Sequence, residues 1–308
     1  MAETSGSGVP QSNTISHRKA VLPYSAVGSR WERVSATTVC INSTFDLEVI
    51  QFGVKAMKEY RQFHDSDRKF NFQTMVYFCE ANDSKQLSFY DLLKIASDGA
   101  VEDYNQQGMS REMLTENGFA ILVSRLSFRF HRMPRENEAI VLKTWEEKSE
   151  ALQLVRSYEF ESMDGEKLIS GLGGWVAVRP ADHKIVPTKM FCLRPPVDLQ
   201  TEHDCLKYGK IAHPDDSALS LFDERVIKYS DLDGNGHTNN ARYGAFIADA
   251  LPESLRHVQF KDFRLNYAKE AKLGQKVQVF GNVDDAAKRL FLVGKTDDGV
   301  SFEAELFW

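Results

Sequence analysis

The chain has 308 residues, 42% of them hydrophobic, enough to build substantial cores. Its formal net charge of -6, from 38 basic and 44 acidic residues, argues against binding nucleic acid or an anionic membrane through the overall field. The four cysteines (Cys40, Cys79, Cys192, Cys205) are widely spaced with no C-x-x-C pair, which excludes a disulfide framework or zinc ribbon and fits reduced thiols in an intracellular setting. No apolar run reaches the length of a membrane span, and no secretory h-region follows the N-terminus.

Residues 1–44 are rich in Ser and Thr and carry Arg18, Lys19, Arg30 and Arg33 against only Glu3 and Glu32. That composition predicts a disordered tail within a 1–69 N-terminal extension, with an organelle transit peptide as the alternative reading. Apolar spacing in "VIQFGVKAMKEYRQF" predicts a helix just before Lys69. From Phe70 the pattern sharpens. "FQTMVYFCEAND" reads as a strand ending in a polar turn, and "SFYDLLKIASDGAVEDYNQQG" as a helix with Ser88 as N-cap and Gly108 past its end. In "RLSFRFH" Leu126, Phe128 and Phe130 alternate with polar residues, the period of a strand with one buried face. "EAIVLKTW", "LQLVRSYEF" and "LISGLGGWVAV" continue the sheet, the last two joined by the hairpin turn "MDGEK".

A proline-containing stretch over 187–222 reads as a long ordered linker between a first domain, 70–186, and a second, 223–308. In the second, "DERVIKYS" is a strand. It leads through a Gly- and Asn-rich loop into a helix that begins around Thr238 to Asn240, presents Tyr243, Phe246, Ile247, Ala250 and Leu251 on one face, and stops before Pro252. The strands "FKDFRLNYA", "QKVQVFGN", "RLFLVGKT" and "SFEAELFW" complete it. Sliding residues 127–142 onto 264–279, a shift of 137, sets Phe130 on Tyr267 and Arg132 on Lys269. The repeated order of strand, helix and antiparallel strands implies an internal duplication in an α+β fold.

The loop "YSDLDGNGHTNNARY" (229–243) half matches an EF-hand: Asp231, Asp233, Asn235 and Gly236 fall at the right places. The position that must supply a bidentate glutamate is Arg242, and a strand precedes the loop where an EF-hand has a helix, so calcium is rejected. No G-x-S-x-G elbow or similar motif marks a serine or cysteine as an activated nucleophile.

"SDLDGNGHTNNARY" resembles the D-x-N-x-H-x-N-N signature of the acyl-acyl-carrier-protein (acyl-ACP) thioesterases, and "LNYAKEAKLG" resembles their second, glutamate-bearing motif. "SRLSFRFHRMP" and "GGWVAV" extend the resemblance over roughly residues 70–308, closer to the bacterial members than to the plant enzymes. The resemblance implies a tandem (double) hotdog, two long helices each wrapped by a curved antiparallel sheet, and hydrolysis of acyl-ACP to fatty acid and carrier protein without cofactor or metal. It implies Asp233, Asn235, His237 and Glu270 as catalytic residues, with Glu270 or His237 as general base, Asn235 orienting the water, and helix N–H groups near 238–240 polarising the carbonyl. Ala271 stands where plant members usually place a cysteine, which excludes a covalent thiol route there. Acyl-CoA is the alternative substrate, and a non-catalytic acyl-thioester sensor the alternative from another class.

The first copy has Met133 at the place of Glu270 and no histidine in its turn. It is therefore expected to bind the acyl chain, with Leu92, Ile95 and Ala96 of its helix as length-determining residues, while the second copy hydrolyses. An acidic carrier protein needs a basic surface, drawn from Arg125, Arg129, Arg132 and Arg135 or from Lys261, Arg264, Lys269 and Lys272. The expected location is the cytoplasm, or a plastid or other organelle if residues 1–44 are a transit peptide. Oligomeric state is left open, with a homodimer as one option.

Overall fold

The computed structural model of the chain describes residues 59–308. The tail and transit-peptide readings, and most of the helix expected before Lys69, lie outside the described residues. The end of that predicted helix is instead a short strand, β1 (Gln62–His64), paired antiparallel with β2 (Phe70–Met75). The turn between them decides this. Asp65 accepts hydrogen bonds from the Asp67 and Lys69 amides, and Arg68 takes a left-handed φ of 61°, so the chain folds back as a hairpin.

The first half continues with α1 (Phe89–Gln106), α2 (Arg111–Glu116), β3 (Ala120–Phe130), β4 (Ala139–Glu146), β5 (Leu154–Ser162), β6 (Lys167–Arg179) and β7 (Lys184–Val186). The second half contains β8 (Ser220–Val226), α3 (Arg242–Asp249), β9 (Asp262–Tyr267), β10 (Lys276–Asp284), β11 (Arg289–Thr296) and β12 (Gly299–Phe307). Ser88 caps α1 by accepting from the Asp91 amide at 3.0 Å. Strand β8 starts at Ser220, inside the stretch expected to be linker.

All twelve strands form one sheet, in the order β1-β2-β4-β5-β6-β3-β9-β12-β11-β10-β8, with β7 beside β6. Numbered from β2 in the first half and from β8 in the second, both run first, third, fourth, fifth, second strand. The halves meet where their second strands pair: β3 and β9 are antiparallel, with Leu126 opposite Leu265 and Phe128 opposite Phe263. These four side chains are buried, as the alternation in "RLSFRFH" requires, and Arg129 pairs with Asp262 across the same ladder at 2.8 Å. Helices α1 and α3 lie in the buried core, α1 through Leu92, Leu93, Ile95, Ala96 and Ala100, α3 through Tyr243, Phe246 and Ile247. The architecture is thus two copies of one α+β unit joined edge to edge.

Residues 187–219 hold only two 3₁₀ turns and run across the sheet, fixed at successive strands. Arg194 pairs with Glu146 at the end of β4 and His203 with the adjacent Glu147. Asn266 of β9 donates to the Gly209 carbonyl, Arg289 of β11 to that of Ala212, and Asn282 of β10 to that of Ala218. Backbone groups that no strand ladder satisfies find side-chain partners instead, which is how so long an irregular segment stays ordered.

Candidate active site

The loop between β8 and α3 is built by its own acidic residues. The Asp231 carboxylate accepts from the Lys228 amide and is held by the Arg242 guanidinium at 2.7 Å. Burial pushes this carboxyl up, but the amide and the Arg242 and Arg225 cations outweigh it and hold the group below its ordinary range. Asp233 Oδ1 accepts from the Asn235 and His237 amides at 2.8 and 3.3 Å, and Gly236 takes a φ of 77° to close the turn. Two of the half EF-hand's oxygens are therefore committed to arginine and to backbone.

This tight turn presents the imidazole of His237 outward, toward Glu270 on the segment after β9. His237 Nδ1 and Glu270 Oε1 are 3.7 Å apart, with the carboxylate one-third exposed and the ring about half exposed. Their spacing is fixed by cross-links behind them. Thr238 Oγ1 donates to the Ala271 carbonyl, Tyr267 OH donates to the Asn240 carbonyl at 3.1 Å, and the Ala271 amide donates to Tyr243 OH at 3.3 Å. Burial pushes the phenols of Tyr243 and Tyr267 up, keeping both neutral and structural. Neither neighbouring lysine satisfies Glu270: Lys269 Nζ donates instead to the Asp298 carbonyl at 2.6 Å. Among the described residues the one basic side chain within 4 Å of the Glu270 carboxylate is His237.

Two expectations about this site need correction. Helix α3 begins at Arg242, later than expected, because Asn239 caps a preceding turn: its Oδ1 accepts from the Ala241 amide and its carbonyl from the Arg242 amide. Of the amides over 238–240, Asn239 N–H is spent on the Asp231 carbonyl, while Asn240 N–H has no hydrogen-bond partner among the described residues. The second correction concerns Leu92, Ile95 and Ala96. All three are fully in the core, and the face of α1 that reaches the site carries Ser97, Asp98, Val101 and Glu102, one helical turn apart in pairs.

Asp233, Asn235, His237 and Glu270 line one cleft of about 930 Å³. Its polar end belongs to the second half. The opposing wall comes from the first, through Val101 of α1, Ile121 and Val123 of β3, Trp175 and Val176 of β6 and Ile185 of β7. Sequence reasoning missed this wall, since β3 and β6 carry residues of both faces here and only the meeting of the halves decides which face a cavity. Three of the eight basic candidates are paired internally: Arg129 with Asp262, Arg132 with Glu138 and Glu166, and Arg264 with Glu305.

The first half repeats the loop bond for bond at an offset of 151 residues. Asn82 stands for Asp233, its Oδ1 accepting from the Ser84 and Gln86 amides, and Lys85 takes the left-handed φ, 58°, that Gly236 takes in the second copy. The Asn82 amide donates to the Gln86 carbonyl at 2.8 Å, as the Asp233 amide does to that of His237, and Ser88 and Asn239 donate alike to Glu80 and Asp231. The frames match and the side chains differ, with Gln86 for His237 and Met133 for Glu270.

This edge-joined pair of units, each a helix against a curved antiparallel sheet, is the tandem hotdog, a thioesterase architecture. It superposes on an acyl-ACP thioesterase from Bacteroides thetaiotaomicron with a TM-score of 0.65 at 20% identity, over 77% of this chain and 96% of that one. The 12:0-ACP thioesterase from Umbellularia californica matches with a TM-score of 0.67 at 15% identity, over 78% and 96%. No curated protein sequence matches the chain. Two family descriptions do: the acyl-ACP thioesterase N-terminal domain over residues 67–189 and the C-terminal domain over 215–305. The chain belongs to the acyl-ACP thioesterase family, and its reaction is hydrolysis of acyl-ACP thioesters. Among the described residues no helix is long and apolar enough to cross a membrane.

Proposed function

We propose that His237 and Glu270 together activate the water that attacks the acyl-ACP thioester carbonyl, releasing a fatty acid and the carrier's thiol. What supports this is their 3.7 Å separation at the polar end of a cleft whose other wall carries the apolar side chains of Val101, Ile121, Trp175 and Ile185. A water about 2.8 Å from each, an ordinary hydrogen-bond length, fits as the apex of a triangle on that base. The water oxygen bonds to the carbonyl carbon as its proton passes to the pair. When the tetrahedral intermediate collapses the carbon–sulfur bond breaks, and the same proton returns to the departing thiolate. Asn240 N–H, without a hydrogen-bond partner among the described residues, belongs to a residue that lines the same cleft and is the donor assigned to the developing oxyanion. Asn235 orients the water from the turn's tip, and Asp233 acts through the backbone, holding the two amides that aim His237.

The acyl chain lies along the first half's wall, with Val101 and Trp175 in contact, so binding falls to 70–186 and hydrolysis to 223–308. Because β3 and β9 pair within one chain, both walls of the cleft described here come from a single copy. Thiol release from a panel of acyl-ACP substrates tests the reading. Glu270→Gln and His237→Ala are each expected to lower kcat/KM by roughly 10² or more with the melting temperature unchanged, the usual loss for an acid or base. Near-wild-type turnover by either removes that residue from the mechanism. The same panel on acyl-CoA, compared by kcat/KM, fixes how far the carrier itself is recognised.

A further inference from the structure

The catalytic cleft has a counterpart. A second pocket of about 270 Å³ opens at the first half's copy of the loop, lined by Ser84, Gln86 and Met133. Its opposite wall comes from the second half, and the correspondence holds there too. At the offset of 151, Ala248 of α3 stands where Ser97 of α1 lines the cleft. At the shift of 137, Val258 and Phe260 stand where Ile121 and Val123 do. The positions that hold His237 and Glu270 in the cleft carry no base here, since neither the amide of Gln86 nor the thioether of Met133 can take a proton from water at neutral pH.

What remains is a binding site with a sorted lining. The floor is apolar and aromatic: Phe89 packs on Phe130 and Phe260 with ring centroids 6.1 Å apart in both cases. The mouth carries Arg256, exposed and without an ion-pair partner among the described residues, and His257. His257 is not part of a catalytic triad, although Ser84 and Asp83 are both near it. Both face the same nitrogen, Nδ1, at 3.1 and 3.9 Å, so no relay through the ring exists and Nε2 is left for a ligand. The Asp83 carboxylate is drawn to His257 and Ser84 and leaves the guanidinium of Arg256 unopposed.

We propose that this pocket binds one free fatty acid, its carboxylate at Arg256 and His257 and its chain over Phe89, Phe130 and Met133. An unpaired guanidinium over an apolar floor selects an anionic amphiphile, and a carboxylate suits its planar fork. The proposal rests on the catalytic reading only for the class of ligand, a fatty acid being what the cleft releases.

The test is photolabelling of the full chain with decanoic acid bearing a diazirine near its methyl end, followed by proteolysis and mass spectrometry. Label is expected in two separate places, on peptides spanning 84–89, 130–133 or 256–260, and on cleft peptides containing Val101 or Trp175. Arg256→Glu, at an exposed position, is expected to cut the first set by about tenfold or more and leave the second unchanged, the loss of a charged hydrogen bond. The corresponding diazirine alcohol should label the first set as weakly as that variant does. Val258→Trp, which fills the pocket from a half-buried edge, should abolish the first set with the cleft still labelled. Cleft labelling alone overturns the second site and leaves the catalytic reading standing, whereas pocket labelling alone does the reverse. Equal labelling of the pocket by acid and alcohol, or in Arg256→Glu, overturns recognition of a carboxylate.

Discussion

Replacing Gly244 by alanine should weaken the joint between the halves, against the ordinary expectation for a glycine in a helix. Removing a helical glycine gains up to about 1 kcal/mol, and less near a terminus; Gly244 is the third residue of α3. The neighbours oppose it. A Cβ at Gly244 would sit 2.6 Å from the carbonyl carbon and oxygen of Phe89 and 2.7 Å from the Tyr90 amide nitrogen, where ordinary contact begins at 3.4 Å. These are backbone atoms at the start of α1 and cannot rotate away, so the helices must part by about 0.8 Å. Overpacking of this kind costs about 1–3 kcal/mol, and a rigid obstacle puts it in the upper part of that range. The net loss is about 1–2 kcal/mol, a fall in Tm of roughly 3–6 °C for a domain of this size. Because α3 follows the His237 loop while α1 carries Val101, parting them also displaces the base pair from the bound acyl chain. A misplacement near 1 Å can cost up to 10²-fold, so kcat/KM should drop about tenfold. Differential scanning fluorimetry and thiol release measure the two effects. A Tm raised by a degree or two, with activity intact, would mean that propensity wins and that the helices are not in backbone contact.

Val101→Trp places a large ring in the cleft from α1 and should shift product chains shorter by several carbons, read by gas chromatography of released acids; an unchanged distribution removes Val101 from the acyl wall. Asp103 and Arg156 form a fully buried pair at 2.7 Å, and Asp103 also holds His64 at 2.7 Å, so Asp103→Asn takes the paired carboxylate away from a buried cation and should cost about 3–5 kcal/mol in urea unfolding. Adding Arg156→Met to Asp103→Asn should recover much of that loss, and a double variant as unstable as the single one would refute the electrostatic account. Burial pushes Glu147 up, but hydrogen bonds from His203, Thr201 and Ser157 outweigh it and bring the group down to about 2. A depressed carboxyl stabilises the fold above its unfolded pKa, so this contribution should be whole above about pH 5 and fade as pH falls from 4.5 toward 2. The deficit of Glu147→Gln against the parent chain, measured by urea unfolding, should therefore shrink between pH 6 and about pH 3, and a deficit independent of pH sinks the assignment.

The parts of this structure that were legible in the sequence are those set by local rules. Period-two alternation located the strands, from Leu126, Phe128 and Phe130 in β3 to Phe302, Ala304 and Leu306 in β12, because a half-buried strand must alternate. The family resemblance of "LNYAKEAKLG" pointed to Glu270, which the fold sets 3.7 Å from His237 although 32 residues of chain lie between them. What escaped depended on pairings made at a distance. The start of α3 moved to Arg242 because Asn239 capped a turn rather than the helix. The residues before Asp65 became β1 because a side chain turned the backbone under them. Two members of the basic stripe, Arg129 and Arg132, met acidic partners that only the folded sheet brings to them, Asp262 and Glu166. The cleft wall could not be seen because it exists only where the two halves face each other.

The duplication separates what a fold supplies from what a side chain supplies. Both copies make the same turn, with the same side-chain oxygen taking the same two amides and the same left-handed residue closing it, although one uses Asn82 and Lys85 where the other uses Asp233 and Gly236. That a lysine sits at φ 58° without glycine's freedom means the surrounding hydrogen bonds impose the turn, at a cost of about 1 kcal/mol or more. A frame so enforced is indifferent to the group it displays. Proton transfer is not, and replacing His237 by Gln86 and Glu270 by Met133 leaves the geometry while removing both groups able to hold the proton. Installing Gln86→His with Met133→Glu in the chain that carries His237→Ala should, on this argument, restore some thiol release from short acyl thioesters, limited by the smaller pocket. If the first copy stays silent with both groups in place, the deciding contribution is the apolar wall of the larger cleft rather than the pair at its end.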